Sequence, residues 1–191
     1  MKQMVSTIKS ISVITVFLFF SCEGMTLQWN DEISHRWAFL RAKQGQDGLI
    51  QLSSKNTGVT FQNDITRELI AANRALLNGS GVTTGDVDGD GLIDIYFCRT
   101  EGSNVLYRNL GGWKFEDITE KAGVACKDQF STGTVLSDID GDNDLDLLVT
   151  ALGGPNAVFL NDGSGQFHEV TKEVGLAGNS GATTMALADV D

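Results

Sequence analysis

The chain has 191 residues, 41% of them hydrophobic, with ten Phe and a single Pro, so it can bury a core and its composition excludes intrinsic disorder. Its 25 acidic residues against 14 basic ones give a formal net charge of −11, and no stripe of Lys and Arg is present to meet phosphates, which excludes a nucleic-acid partner. Eleven aspartates in three short segments (Asp86, Asp88, Asp90, Asp94; Asp138, Asp140, Asp142, Asp144, Asp146; Asp189, Asp191) equal the whole acidic excess, so the charge is local. Carboxylates spaced that closely repel unless a cation neutralises them.

Residues 1–22 read as an export signal, since Lys2 and Lys9 flank the start of an apolar run, Ile11 to Phe20, that ends at Ser21 and Cys22. The run falls short of the roughly 20 apolar residues that a spanning helix needs. Phe19-Phe20-Ser21-Cys22 resembles the lipobox of bacterial lipoproteins, with Phe19 where Leu is usual. That resemblance implies lipidation of Cys22 and a lipid anchor in the membrane, as an outer-membrane or cell-surface lipoprotein; ordinary cleavage and secretion is the other reading. Residues 23–56 are expected to be an N-terminal tether, in which Trp29 to Lys43 reads either as a short amphipathic helix or as polar linker. Gly58-Val59-Thr60-Phe61 reads as the last strands of a degenerate unit and Asn78-Gly79-Ser80-Gly81 as a turn. The sequon at Asn78 is a three-residue match of a kind common by chance.

From there the chain repeats itself. Gly85-Asp86-Val87-Asp88-Gly89-Asp90-Gly91-Leu92-Ile93-Asp94 returns 52 residues later as Ser137-Asp138-Ile139-Asp140-Gly141-Asp142-Asn143-Asp144-Leu145-Asp146. Val105 to Asn109 matches Ala157 to Asn161, and Phe115 to Thr119 matches Phe167 to Thr171, at the same offset. A third unit opens at Leu187-Ala188-Asp189-Val190-Asp191. Short runs rich in β-branched and aromatic residues, separated by Gly, Asn and Asp, predict four strands per unit. They fall at 92–98, 104–109, 114–119 and 131–137, then at 145–151, 156–161, 166–171 and 182–188. Four antiparallel strands in a unit of this length predict an all-β chain, with residues 57–191 forming a partial β-propeller of four-stranded blades.

In the first loop, side-chain oxygens fall at positions 1, 3, 5 and 9 (Asp86, Asp88, Asp90, Asp94), with the Leu92 carbonyl at position 7. Alternate residues of a curled loop can turn their oxygens inward while Val87 and Ile93 point into the blade, and calcium takes six to eight such oxygens. The second loop repeats this with Asp138, Asp140, Asp142 and Asp146 and the Asp144 carbonyl, while Asp189 and Asp191 begin a third. Gly89 and Gly91 permit the sharp reversal, and Asn143 replaces the second glycine with a residue that tolerates the left-handed region. Solvated turns need one or two such residues, not four carboxylates in two registered copies. An EF-hand needs Glu at position 12, where Phe97 and Val149 stand. Magnesium is ill suited to a cage of many carboxylates, and zinc would want His or Cys.

Cys98 and Cys126 are open to two readings, a disulfide permitted by export or two separately buried thiols. His35 and His168 neighbour no cysteine in sequence and read as surface residues.

The loops, together with Asn78-Gly79-Ser80-Gly81-Val82 before them and Phe115-Glu116-Asp117-Ile118-Thr119 after, resemble the FG-GAP or VCBS repeats of integrin alpha subunits. The likeness covers residues 57–191 and is nearest to bacterial relatives of cartilage acidic protein, which carry an ASPIC/UnbV-type domain. It implies structural calcium and a propeller of about seven blades that mediates adhesion or ligand binding, with a protein or carbohydrate partner at the cell surface. Two and a half units cannot close such a ring, so the chain is expected to be an N-terminal fragment. No nucleophile, base and orienting group stand together, and the expectation is a non-catalytic module. The alternative is the propeller part of an extracellular polysaccharide-acting enzyme, for which Glu116, Asp117 and Glu169 are the acidic candidates.

Overall fold

A computed structural model describes residues 50–178 and 181–187, and before them three strands: β1 (Gln3–Ile8), β2 (Trp29–Asp31) and β3 (His35–Leu40). The chain divides into two compact units, Met1–Ile50 and Gln51–Asp191. In the first, the three strands form an antiparallel sheet in the order β1-β3-β2. Within Trp29 to Lys43, read as an amphipathic helix or as polar linker, Trp29–Asp31 and His35–Leu40 are therefore strands. Trp37 and Phe39 stand two residues apart, a strand spacing, and aromatic residues favour the extended backbone. The apolar run 11–20 and Cys22 lie outside the described residues, as do Asp189 and Asp191. No helix among the described residues is long and apolar enough to cross a membrane.

The second unit holds two four-stranded antiparallel sheets. The first runs β4 (Val82–Gly85), β5 (Asp94–Phe97), β6 (Val105–Asn109) and β7 (Phe115–Asp117); the second runs β8 (Ser131–Ser137), β9 (Asp146–Ala151), β10 (Ala157–Asn161) and β11 (Phe167–Glu169). Sequence placed Ser131–Ser137 as the fourth strand of the first unit, but it opens the second sheet. The aspartate loop is itself a hairpin, pairing Gly85 with Asp94 and Ser137 with Asp146, so the strand before each loop must join the strand after it. Of residues 182–188, expected as a strand, 182–187 form none and 188 lies outside the described residues, although Ala182 N–H donates to the Ala151 carbonyl at 3.1 Å.

Alternation along β9 and β10 sends Leu147, Val149, Ala157 and Phe159 to one face and Leu148 and Val158 to the other. The first face meets Val87, Tyr96, Cys98, Leu106 and Val124, so the main core lies between the two sheets. Gly81 lets them approach, because a Cβ there would stand 3.0 Å from the Thr134 nitrogen and 3.1 Å from Gly133 Cα. Gly58–Phe61 is not a strand. It packs as irregular chain on the other face of the first sheet, with Phe61 stacked on Phe97 at 4.7 Å and Thr60 N–H donating to the Tyr107 hydroxyl at 3.0 Å. A short helix, α1 (Ser54–Thr57), precedes it; after it come a second, α2 (Arg67–Ala72), and a 3-10 turn at Arg74–Asn78 that leads into β4.

Cys98 and Cys126 are free thiols. Cys98 is fully buried and its Sγ lies 3.6 Å from the Gly133 carbonyl, while the Cys126 Sγ lies 3.8 Å from the Tyr96 hydroxyl. Burial pushes Cys98 up to about 12 and Cys126 to about 11 from the ordinary 9.0. Between those values the unfolded chain releases protons that the folded chain keeps, so stability is full below pH 9.0 and falls as pH rises towards 11 to 12. In a Cys22→Ser background, Ellman's reagent at pH 8 should label both thiols roughly a hundredfold or more slower in the folded protein than in urea. Equal rates would show that the two thiols are not protected.

Candidate metal centre

Each aspartate loop is closed by its ninth residue. Asp94 is fully buried, and its two oxygens accept the Val87 N–H at 2.9 Å and the Asn109 N–H at 2.7 Å. Asp146 does the same with Ile139 N–H and Asn161 N–H, both at 2.9 Å. One carboxylate thus ties the start of the loop to the third strand of its sheet. Asn109 and Asn161 return a side-chain bond, from Nδ2 to the Ile93 carbonyl at 2.9 Å and to the Leu145 carbonyl at 3.1 Å. Sequence reading matched these asparagines at the repeat offset without assigning them a part.

The first residue of each loop gathers the turn beneath it. Asp86 accepts N–H bonds from Asp90 at 3.2 Å and Gly91 at 2.8 Å, and Asp138 accepts from Gly141 at 2.7 Å and Asn143 at 3.1 Å. Asn143 has φ 75°, the left-handed conformation that sequence assigned to it. The fold then brings one oxygen each of Asp86, Asp88 and Asp94 within 4.8 Å of one another, and likewise Asp138, Asp140 and Asp146. Positions 1, 3 and 9 therefore converge in both copies. The fifth-position carboxylates turn back on the backbone: Asp90 Oδ1 accepts the Leu92 N–H at 2.8 Å and Asp142 Oδ1 the Asp144 N–H at 2.9 Å. Asp144 stands against Gly163 of the β10–β11 turn, where a Cβ would come 2.5 Å from its Oδ2.

The electrostatics carry the strain of this crowding. Asp94 is raised above the ordinary carboxylate value by burial, a shift that the two backbone N–H groups oppose and the charges of Asp88 and Asp90 reinforce. Asp140 and Asp144 are raised as well, by desolvation and then by neighbouring carboxylates, with Asp142 foremost among them. Asp88 Oδ1 is buried with no hydrogen-bond partner among the described residues. A buried, unpartnered anionic oxygen beside two others fits a hard divalent cation that takes oxygen ligands, and no His or Cys stands in either cluster to favour a softer one.

The two loops differ in setting. Asn161 Nδ2 donates to the Val87 carbonyl at 2.8 Å, and Gly165 brings the β10–β11 turn against Val87 and Asp88. Val87 is buried as expected, whereas its counterpart Ile139 is 40% exposed. Ile93, expected to face the blade, is 53% exposed; it sits in the loop just before the strand begins, where no neighbouring sheet covers it. His168 is exposed, as its sequence context suggested, and His35 has no described side chain.

A family model described as an FG-GAP-like repeat matches residues 86–149 and again residues 138–191. The matches overlap on the second aspartate loop and together span more than half of the chain. No curated protein matches it.

The ninth and first loop positions should separate on mutation. Asp146→Asn keeps one acceptor oxygen but sets its NH2 group against the other backbone N–H donor in a buried site, and should lower stability by about 2–4 kcal/mol in chelator. The exposed Asp138→Ala should lower it by no more than about 1 kcal/mol under the same conditions. Equal losses in urea unfolding would contradict the closing role of the ninth residue.

Proposed function

The chain belongs to the FG-GAP-like repeat family, and on that premise we propose that it is a calcium-stabilised, non-catalytic interaction module of the cell surface. The observation that carries this reading is the convergence of positions 1, 3 and 9 into a three-carboxylate cluster in each of two registered loops. Calcium would be held by Asp86, Asp88 and Asp94 in the first loop and by Asp138, Asp140 and Asp146 in the second. Asp90 and Asp142, with the carbonyls of Leu92 and Asp144, lie close enough in sequence to complete the shell after a local turn of the loop. Asp189 and Asp191 open a third loop of the same pattern. The ion supplies charge neutralisation and rigidity; the protein's carboxylates supply geometry.

The two four-stranded sheets are blades of a β-propeller in this reading, packed face to face as successive repeats. A protein or carbohydrate would dock on the assembled surface. The finer likeness, to VCBS repeats and to bacterial relatives of cartilage acidic protein, rests on the motifs at Asn78 to Gly91 and Phe115 to Thr119. Export through residues 1–22 and lipidation at Cys22 complete the proposal. Labelled palmitate should enter the wild-type protein in a bacterial host and not the Cys22→Ala variant; incorporation into neither would remove the anchor.

Binding to the folded state alone stabilises by mass action, by about 2.7 kcal/mol when free calcium is 100 times the dissociation constant. A chelator should therefore lower the melting temperature. Titration calorimetry should find calcium uptake that Asp86→Ala and Asp138→Ala each diminish by one site. Absence of heat, together with melting that ignores calcium, would refute the reading.

A further inference from the structure

The two loops are registered copies, yet among the described residues a cationic side chain pairs with the first loop and none with the second. Arg108 on β6 reaches into the first loop, with Nε 2.7 Å from Asp88 Oδ2 and Nη2 3.5 Å from Asp90 Oδ2. The Asp88 side chain is only 10% exposed, so this charge contact is shielded from water more than a surface ion pair. Nε makes no aligned hydrogen bond, which leaves attraction between charges as the main bond between guanidinium and loop. At the repeat offset of 52, Arg108 corresponds to Leu160. Leu160 instead packs with the apolar cluster of Leu148, Val158 and Val170. Among the described residues, no Lys or Arg pairs with the carboxylates of the second loop.

We infer that Arg108 is an internal counter-ion of the first loop, which neutralises Asp88 and Asp90 when no metal is bound and which a divalent cation must displace to bind there. The inference rests on the calcium reading above and assigns the two loops different behaviour under it. A guanidinium and a calcium ion compete for the charge of the same carboxylate, because Asp88 supplies both the ion pair and a member of the acidic cluster. Asp88 Oδ1 is buried and unpartnered while Oδ2 faces the arginine, so Arg108 engages one oxygen of the carboxylate and leaves the other without a partner. Displacement is sterically open, since the Arg108 side chain is 36% exposed on the solvent side and lines a cleft of about 730 Å³ beside Arg99, Glu116 and Lys121. Among the described residues the second loop meets no such competitor. The first loop would thus be held together at low calcium by its own charge and would exchange that charge for metal as calcium rises.

Neutralising the arginine separates this role from a merely structural one, because the two conditions move in opposite directions. In chelator, Arg108→Gln and Arg108→Leu should each lower the melting temperature by roughly 2–4 °C, an effect reduced by salt. In an Asp138→Ala background, which leaves the first loop as the complete one, calorimetry with calcium chloride should show affinity raised roughly three- to tenfold by either substitution. A structural arginine would lower both stability and affinity. Calcium heat that is unchanged or weakened in both variants overturns the inference and leaves the calcium reading intact. No heat in the wild type or in any variant overturns the calcium reading, and this inference with it.

Discussion

The fold of each repeat turns on a buried carboxylate. A lone Asp in an apolar setting is costly, and Asp94 and Asp146 are tolerated because each accepts two backbone N–H bonds. Those bonds fix three things together: the curl of the loop, the pairing of the strand before it with the strand after it, and the position of the third strand's end. With the curl fixed, the first and third loop residues have little choice but to bring their oxygens to the ninth. The cluster of like charges is thus a consequence of the hairpin that builds the sheet, formed by the same bonds that make the fold.

The repeats then complete one another. Val87 belongs to the first loop but is buried beneath the second sheet, where Asn161 bonds its carbonyl and Gly165 packs on its side chain. Gly81 against Gly133 lets the leading strands of the two sheets approach to a distance that a side chain would block. Ile139, which holds the place of Val87, is 40% exposed because no described element lies over the second loop as the β10–β11 turn lies over the first. A loop of this kind is a joint between sheets, so its charge state bears on how firmly neighbours hold together as well as on its own shape.

Much of this was legible in sequence because it depends on spacing. Carboxylates at alternate positions, the 52-residue offset and Asn143 in a glycine's place are local patterns with one geometric reading, and the converging Asp86, Asp88 and Asp94 follow from them. The strand boundaries were less legible. The repeat can be cut at any phase, and the period alone does not say whether Ser131–Ser137 closes one sheet or opens the next; the hairpin through the loop decides that. Asn109 and Asn161 were invisible as loop partners since their contacts lie 15 or more residues away in the chain. Trp29 to Lys43 misled because a mixed polar and aromatic stretch satisfies helical and extended periods alike, and only pairing with another strand selects between them.

Arg108 marks the limit of repeat logic. Symmetry predicts equal sites wherever the ligands are equal, and the ligand aspartates here are equal at positions 1, 3, 5 and 9. What differs is a residue outside the loop, on the strand that the ninth aspartate draws alongside it. That strand is held by the Asp94 bond to Asn109, and from it Arg108 reaches the first loop, whereas Leu160 at the same place in the next repeat packs into an apolar cluster. The position beside the asparagine is therefore where the charge around one carboxylate cluster changes while its aspartates stay the same. A guanidinium there places positive charge against carboxylates that are otherwise mutually repulsive, and an aliphatic side chain leaves that repulsion to whatever cation the solvent provides.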